Sequence, residues 1–170
     1  MSVLDDYLVD PKLSFLDKVK IQAQVLVPVL RALRAAVGKD QADALVRQAL
    51  RDWSRQLFAQ IGESIEGSPR RKWATMRSAF DDVTAKEVDF EILRQDKEAL
   101  DIDVTHCRFA AFFRAIGEPE LGALLICQTD LDITIPSDGA VTLEREQTIM
   151  QGAPTCTFRY TFAPRDDRSA

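Results

Sequence analysis

The amino-acid sequence predicts an α+β fold, in which a helical N-terminal half packs on a mostly antiparallel sheet of about four strands with inserted helices. Apolar residues recur at steps of three and four through residues 1–86, the spacing of amphipathic helices. From residue 87 they alternate with polar residues in short runs separated by turn residues, as in antiparallel strands. We therefore expect one domain with a helical part (1–86), an α+β part (87–164) and a disordered tail (165–170).

The first helix is predicted by a single apolar stripe. Its members are Leu16, Val19, Ala23, Leu26, Leu30, Leu33 and Val37. Pro28 lies inside this stripe, so we expect a kink or a break near Val27, because proline removes a backbone donor. Gly38 is expected to end the helix.

Two more helices are predicted before the change of period. Asp40 is expected to be the N-cap of a long second helix, which ends at Gly67. The apolar stripe of this helix comprises Ala42, Leu45, Ala49, Trp53, Leu57, Ile61 and Ile65. Ser68 and Pro69 begin a third helix, which carries Trp73, Met76 and Phe80 on one side.

The second half begins with a predicted β-hairpin. Its alternating apolar residues are Val88, Phe90 and Ile92, then Leu100, Ile102 and Val104, with residues 95–98 as the link. An aromatic helix that ends at Gly117 follows, and Glu118-Pro119 opens another helical segment that runs into LLICQTD, residues 124–130. After a turn at 137–139 we expect a strand over 141–150 and then a second turn at 151–154. The last strand has Cys156, Phe158, Tyr160 and Phe162 on one face.

Length, composition and charge exclude several classes of protein. The 170 residues have a net charge of −5 and are 46% hydrophobic, as in one ordinary globular domain. We expect no nucleic-acid partner, because the densest basic cluster, residues 70–72, falls on a predicted solvated helix face. No apolar run approaches the ~20 residues of a membrane span, and the N-terminus lacks the features of a secretory signal. Three widely spaced cysteines argue against a disulfide framework, so we expect a cytoplasmic protein with reduced thiols.

The cysteines are the candidate reactive groups. Cys107 follows the only histidine, His106, where a strand is expected to meet a helix, and the helix dipole there lowers the pKa of a thiol. Cys127 and Asp130 are one helical turn apart and share a face if the helix continues. A carboxylate raises the pKa of a neighbouring thiol, so this pair needs a further group to act as a nucleophile. The alternative for each cysteine is a buried, unreactive side chain.

Arg145 is expected to point inward, because in the predicted strand it shares a side with Leu143 and Ile149. An inward arginine needs a carboxylate, either from the protein, as an internal ion pair, or from a ligand.

The chain has no CxxC or HxxxH spacing, so we expect no metal, with zinc as the alternative. It also has no glycine-rich phosphate loop and no G-x-S-x-G element, so we expect no cofactor, and the case for a Ser-His-Asp triad is weak.

Two segments together resemble a known family: HCRFAAFFRAIGEPELGALLICQTDLDITIP and LEREQTIMQGAPTCTFRYTF. The pattern is a cysteine before an aromatic-rich helix, a Gly-x-Pro-Glu-Leu element, a cysteine and an aspartate three residues apart, an Arg-Thr strand and a closing Gly-x-x-x-Cys-x-Phe. It is similar to that of the L-2-amino-thiazoline-4-carboxylic acid hydrolase family over residues 104–162. The matching positions are Cys107, Gly117 to Leu121, Cys127, Asp130, Arg145, Gly152, Cys156 and Phe158.

One position departs from this pattern. Glu146 stands where the family has threonine after the arginine. If that threonine contacts the substrate, the departure indicates a different substrate or a loss of activity. The ending MQGAPTCTFRY is also similar, over a shorter stretch, to the close of 4-vinyl-reductase-type small-molecule-binding domains, which share the plan of helices and an antiparallel sheet.

The resemblance implies a hydrolase that opens a thiazoline ring at its amidine carbon and gives an N-carbamoyl cysteine. A thiolate or an activated water suits attack on such a carbon. For this reaction, residue chemistry leads us to expect Cys127 as the nucleophile, His106 or Asp130 as the proton carrier, and Cys107 as the competing nucleophile. Asp130 would also bind the amidine of the substrate and Arg145 its carboxylate. Phe112, Phe158 and Cys156 are the remaining candidates for the wall of the pocket, with core packing as the default for the two phenylalanines.

Two other functions remain open from the sequence. One is a small-molecule-binding or sensing domain of similar fold that performs no turnover. The other is an interaction module in which the N-terminal helices form a homodimer, because their apolar stripes exceed what a small sheet can cover. A thiol with a lowered pKa would favour the enzyme, and a ligand that copurifies unchanged would favour the sensor.

Overall fold

The computed structural model describes residues 12–164, and the predicted tail at 165–170 lies outside them. The helical half comprises α1 (Phe15–Val37), α2 (Lys39–Ser64) and α3 (Pro69–Thr84). Gly38, with φ of 84°, joins α1 to α2, and an ion pair of 2.7 Å between Arg34 and Asp43 connects the two helices beside this turn. None of the helices in the described part of the chain is long and apolar enough to cross a membrane.

The second half contains a four-stranded antiparallel sheet in the order β1-β2-β4-β3. Its strands are β1 (Val88–Gln95), β2 (Ala99–Cys107), β3 (Val141–Glu144) and β4 (Cys156–Phe162). Between β2 and β3 lie α4 (Arg108–Ala115), α5 (Pro119–Gly122), a π-helical turn (Ala123–Cys127) and two 3-10 turns (Thr129–Asp132 and Ile135–Ser137). The predicted α+β fold, with a helical N-terminal half and an antiparallel sheet, is confirmed.

One face of the sheet carries the core. Across β2 and β4, Leu100 pairs with Tyr160 and Ile102 with Phe158, so their side chains leave the sheet on the same side. Helices α2 and α3 cover one end of this face, through Phe58, Trp73 and Met76. Helices α1 and α4 cover the other end, through a second cluster that includes two of the three cysteines among its buried members.

Two local expectations are wrong, and of a third only the break is excluded. Helix α1 continues through Pro28 without a break, because Pro28 and Gln24 are exposed and water can reach the carbonyl that loses its partner. Asp40 lies in the first turn of α2, and Gly38 occupies the N-cap position. The strand at residue 141 ends at Glu144, well before Met150, and a 3-10 turn (Ile149–Gln151) follows instead.

The buried side of α2 also differs from the predicted stripe. Leu45 and Trp53 are more than half exposed, whereas Ser54, Phe58 and Gly62 are buried. The 129–137 segment decides this, because Ser54 donates a hydrogen bond to Asp132. A side chain at Gly62 would come within 2.8 Å of Pro136 Cβ. A polar contact and a close approach thus determine the buried face, and neither follows apolar periodicity.

Candidate functional site

A bulge in the first hairpin decides which of two neighbouring residues enters the core. In the pairing of β1 with β2, Val88 lies opposite Cys107 and Asp89 opposite His106, but Phe90 lies opposite Val104. Thr105 is the extra residue, and it reverses the alternation that follows it. Cys107 therefore packs against the core, whereas His106 is exposed on the other face of the sheet.

Cys107 is the N-cap residue of α4, as the sequence predicted. Its Sγ accepts a hydrogen bond from the Ala110 N–H at 3.4 Å. Burial nevertheless raises the pKa of the Cys107 thiol, and the N–H groups of Ala110 and Phe109 offset only part of that rise. The expectation of a lowered pKa is wrong at this position, because desolvation outweighs the helix N-terminus.

Cys127 ends the helical stretch that begins at Pro119. The backbone stays helical through Gln128 and Thr129 to Asp130, so Cys127 and Asp130 are held close together. Burial raises the pKa of the Cys127 thiol strongly, and the Asp130 carboxylate raises it further. Cys127 is the last residue of the π-helical turn, which widens the helix at this point, and such turns occur frequently at functional sites.

Cys156 opens β4 and lies on the same face of the sheet as Phe158. Its Sγ accepts a hydrogen bond from the Ile149 N–H at 3.1 Å. Burial raises the pKa of this thiol too, and the charges of Asp130 and Arg145 also act on it. All three cysteines are free thiols, and the charge of Asp130 raises the pKa of each, although they are 20 or more positions apart in the sequence. Arg145 acts on Cys127 and Cys156.

An ion pair lies at the centre of this cluster. Arg145 Nη1 donates to Asp130 Oδ2 at 2.7 Å and to the Cys127 carbonyl oxygen at 2.7 Å. The two side chains are 9% and 26% exposed, respectively. Burial raises the pKa of the Asp130 carboxyl to about 6, although Arg145 pulls it down. Arg145 therefore points inward as predicted, and its carboxylate partner comes from the protein.

The opposite edge of the Arg145 guanidinium has no partner within residues 12–164. Nε is buried and makes no hydrogen bond, and no bond from Nη2 occurs among the described residues. The guanidinium carbon lies 5.8 Å from the centre of the Phe158 ring. Arg145 is thus held at one nitrogen, while its Nε–Nη2 edge, the fork that binds carboxylates in bidentate fashion, is available.

The two predicted aromatic residues occupy different places. Phe158 packs on the core beside Cys156 and Arg145. Phe112 packs on the same core but also lines an open groove of about 540 Å³ between α1 and α4, with Val27, Pro28 and Ile116 among its other walls. The residue that departs from the family pattern, Glu146, is exposed, and its backbone N–H donates to Thr157 Oγ1 at 3.3 Å.

The described residues 12–164 place no group of three or more His, Cys, Asp or Glu side chains where they could hold a metal ion.

Sequence reasoning missed Arg114, which donates a hydrogen bond to the carbonyl of Ile149. This bond steadies the turn whose N–H reaches Cys156. In the sequence Arg114 is marked only as an arginine directly after the aromatic pair Phe112-Phe113, and nothing in that position points to a turn 35 residues away.

Comparison with known proteins identifies a family. No curated protein matches the chain. The family model described as L-2-amino-thiazoline-4-carboxylic acid hydrolase matches residues 18–160, from the first turn of α1 to Tyr160 in β4. That range contains the three thiols, Asp130 and Arg145. With 143 of its 170 residues matched, the chain belongs to the L-2-amino-thiazoline-4-carboxylic acid hydrolase family.

Proposed function

We propose that the protein is a thiol-dependent hydrolase that opens a small cyclic amidine bearing a carboxylate, such as 2-amino-thiazoline-4-carboxylate. The family is named for a hydrolase of this type. The observation that carries the proposal is the buried Nε of Arg145, which has no partner among the described residues, on a guanidinium that bonds to Asp130. Three thiols lie in the field of the same Asp130 carboxylate. This arrangement offers a receptor for an anion, a carboxylate for a cation and nucleophiles for the carbon between them.

Arg145 is proposed to bind the carboxylate of the substrate. Leaving a buried donor unsatisfied costs about 1–3 kcal/mol, and a carboxylate oxygen at Nε would remove that cost. Because Nη1 already bonds to the protein at two oxygens, the guanidinium is held in position before a ligand arrives. Receptor groups fixed in advance lose less entropy on binding, which favours affinity for a small ligand.

Asp130 is proposed to bind the amidine and to accept a proton. With a pKa of about 6 the carboxyl group is mostly ionised at pH 7, yet it is basic enough to take a proton during the reaction. Its second oxygen, Oδ1, takes no part in the Arg145 contact. An amidinium N–H could donate to that oxygen, which would place the amidine carbon near Cys127.

The chemical step would begin with the Cys127 thiol. Its sulfur adds to the amidine carbon while Asp130 takes the thiol proton. Cys127 therefore does not have to be ionised before the attack. The bond between that carbon and the ring sulfur then breaks, and Asp130 returns its proton to the ring sulfur, which leaves as a thiol. Water adds to the carbon, and Cys127 leaves as a thiol with one proton of that water, which gives an N-carbamoyl cysteine. His106 faces the other side of the sheet and takes no part in this scheme.

Cys107 is the competing nucleophile, and its surroundings favour it in two respects. Its thiol is half-buried rather than buried, and two backbone N–H groups offset part of the rise in its pKa. Cys127 receives no such bond from the described backbone and lies beside the negative charge of Asp130. The geometry of the Arg145–Asp130 pair still favours Cys127, because its own carbonyl anchors that pair.

The test is turnover of 2-amino-thiazoline-4-carboxylate by the wild type and three single variants, Cys127→Ser, Cys107→Ser and Cys156→Ser, with folding checked by circular dichroism. We expect the wild type to open the ring and Cys127→Ser to lose at least 100-fold in kcat, whereas Cys156→Ser stays within about tenfold. Loss in Cys107→Ser alone would transfer the nucleophile to Cys107. Full activity in all three variants would refute thiol dependence.

A second function is favoured by one observation, the raised pKa of all three thiols. Thiols that stay protonated suit a domain that binds a carboxylate ligand at Arg145 without reacting with it. Calorimetry with the same compound separates the two functions. Binding that is lost in Arg145→Gln, without turnover in the wild type, would indicate the binding domain and contradict the hydrolase.

A further inference from the structure

The outer edge of β1 is long and open. The strand order places β1 at one end of the sheet, and eight residues on its outer side pair with no described segment. Three of its apolar side chains are exposed, Phe90 at 39%, Ile92 at 50% and Leu93 at 56%. An edge of this length with exposed apolar side chains is a template for pairing with another strand.

Two register shifts decide which side chains share a face of β1. Phe90, Ile92 and Gln95 lie opposite the core residues Val104, Ile102 and Leu100, so they belong to the face that carries the helices. Glu91 and Arg94 lie opposite Asp103 and Asp101 and belong to the other face. Leu93 is the extra residue between them, and it puts Glu91 and Arg94 on one face although they are three positions apart.

We propose that β1 pairs antiparallel with β1 of a second copy of this chain, about a two-fold axis between Ile92 and Leu93. In that register each Glu91 lies opposite the Arg94 of the other copy on the outer face. Each Phe90 lies opposite the other copy's Gln95 on the inner face, and Ile92 meets Leu93 at the axis. The two sheets join into one of eight strands.

Charge and symmetry favour a second copy as the occupant of this edge. A two-fold interface brings residue i of one copy against residue j of the other, and j against i. One Glu91 and one Arg94 per copy therefore form two ion pairs across the interface. Opposite charges directly across two antiparallel strands stabilise the pairing, and like charges destabilise it. The same register sets Asp89 opposite Asp96 of the other copy, and Arg94 offsets the charge of that Asp96 because it bonds to it at 2.6 Å within its own hairpin. Arg94 also lies 3.5 Å from Glu98. The other edge strand, β3, has only four residues.

The open groove beside β1 supports the same arrangement. A space of about 320 Å³ lies between α3 and the inner face of β1, and Phe90 and Ile92 form part of its wall. This part of the sheet extends beyond the cover that α3 provides, because both side chains remain exposed. A second copy paired at β1 would continue the sheet past these residues and bury them.

The experiment measures the dimer dissociation constant by analytical ultracentrifugation for the wild type, Glu91→Arg, Arg94→Glu and the double variant with both changes. We expect a dimer for the wild type, a rise in Kd of at least about tenfold for each single variant, and recovery to near the wild-type value in the double variant. Circular dichroism and thermal melting establish that each variant is folded. The matched control is Val25→Lys, at an exposed position of α1 on the surface that a dimer of N-terminal helices would use.

Each other outcome would overturn the proposal. A wild type that is monomeric at 200 µM (about the highest concentration practical in this assay) would leave the edge without a second copy. A dimer that Val25→Lys dissociates, and the strand variants do not, would place the interface on the helices. Single variants that dissociate without recovery in the double variant would refute the pairing of Glu91 with Arg94.

Discussion

Replacing Asp130 by asparagine tests the electrostatics of the candidate site. Burial raises the pKa of the Asp130 carboxyl to about 6, against 3.8 for the same group without the fold. The folded protein therefore holds this proton more tightly than the unfolded chain does, by about 2 pKa units. At about 1.4 kcal/mol per unit, the difference corresponds to up to about 3 kcal/mol of stability.

The direction of the pH dependence follows from the raised pKa. Below about pH 4 the carboxyl is protonated in both states, and the wild type has its full stability. As the pH rises from about 4 to about 6, the unfolded chain loses the proton first, and the free energy of unfolding falls. Asparagine does not titrate, so the variant should gain up to about 3 kcal/mol relative to the wild type between pH 4 and pH 7.

The assay is urea unfolding of both proteins at half-unit steps from pH 4 to pH 7.5. Any cost of leaving Arg145 without its partner is the same at every pH, because arginine stays charged. Only the change with pH of the difference in free energy of unfolding between the two proteins therefore reports on Asp130. Arg145→Met provides a second variant, in which the fall in stability should extend to higher pH because Arg145 lowers the pKa of Asp130. A difference between wild type and Asp130→Asn that is constant with pH would refute this account.

Two further predictions concern the thiols and the packing beside them. With limiting iodoacetamide at pH 7.5, Cys107 should be labelled several-fold faster than Cys127 or Cys156 in peptide mass spectrometry, because it alone is half-exposed; earlier labelling of either buried cysteine would contradict this. Gly122→Ala should lower the free energy of unfolding by about 1–3 kcal/mol in urea titration, because the new Cβ would come within 2.6 Å of both Met150 Sδ and Phe113 Cγ. An unchanged urea midpoint would show that these neighbours move aside without cost.

Local patterns in the sequence predicted most of the secondary structure. Three helices, the first hairpin and the last strand follow from apolar spacing, from Gly38 and from the Ser68-Pro69 start of α3. Apolar alternation failed at residues 145–150, because that stretch leaves the sheet. There the Arg145 side chain reaches Asp130 and the Ile149 N–H reaches Cys156, and these contacts take the place of strand pairing.

Five candidate residues chosen from the sequence lie near one another in the fold, and their role as a site stays a prediction. Cys107, Cys127, Cys156, Asp130 and Arg145 were each chosen from the sequence, and the fold brings their charges and thiols together. The pKa of Cys107 was predicted in the wrong direction, because the sequence indicates a helix N-terminus but not how much water the fold excludes.

The sequence by itself determined the α+β class, the order of the elements and the residue types that the site contains, because these depend on short-range periodicity and on motifs. The tertiary structure alone decided which neighbour of the pair His106-Cys107 enters the core, through one extra residue at Thr105. It also decided that Arg145 bonds to Asp130 by one nitrogen and keeps its other edge free. The burial of Cys107 depends on the register of the strands, and the contact of Arg145 depends on packing between distant segments. A local sequence pattern predicts neither.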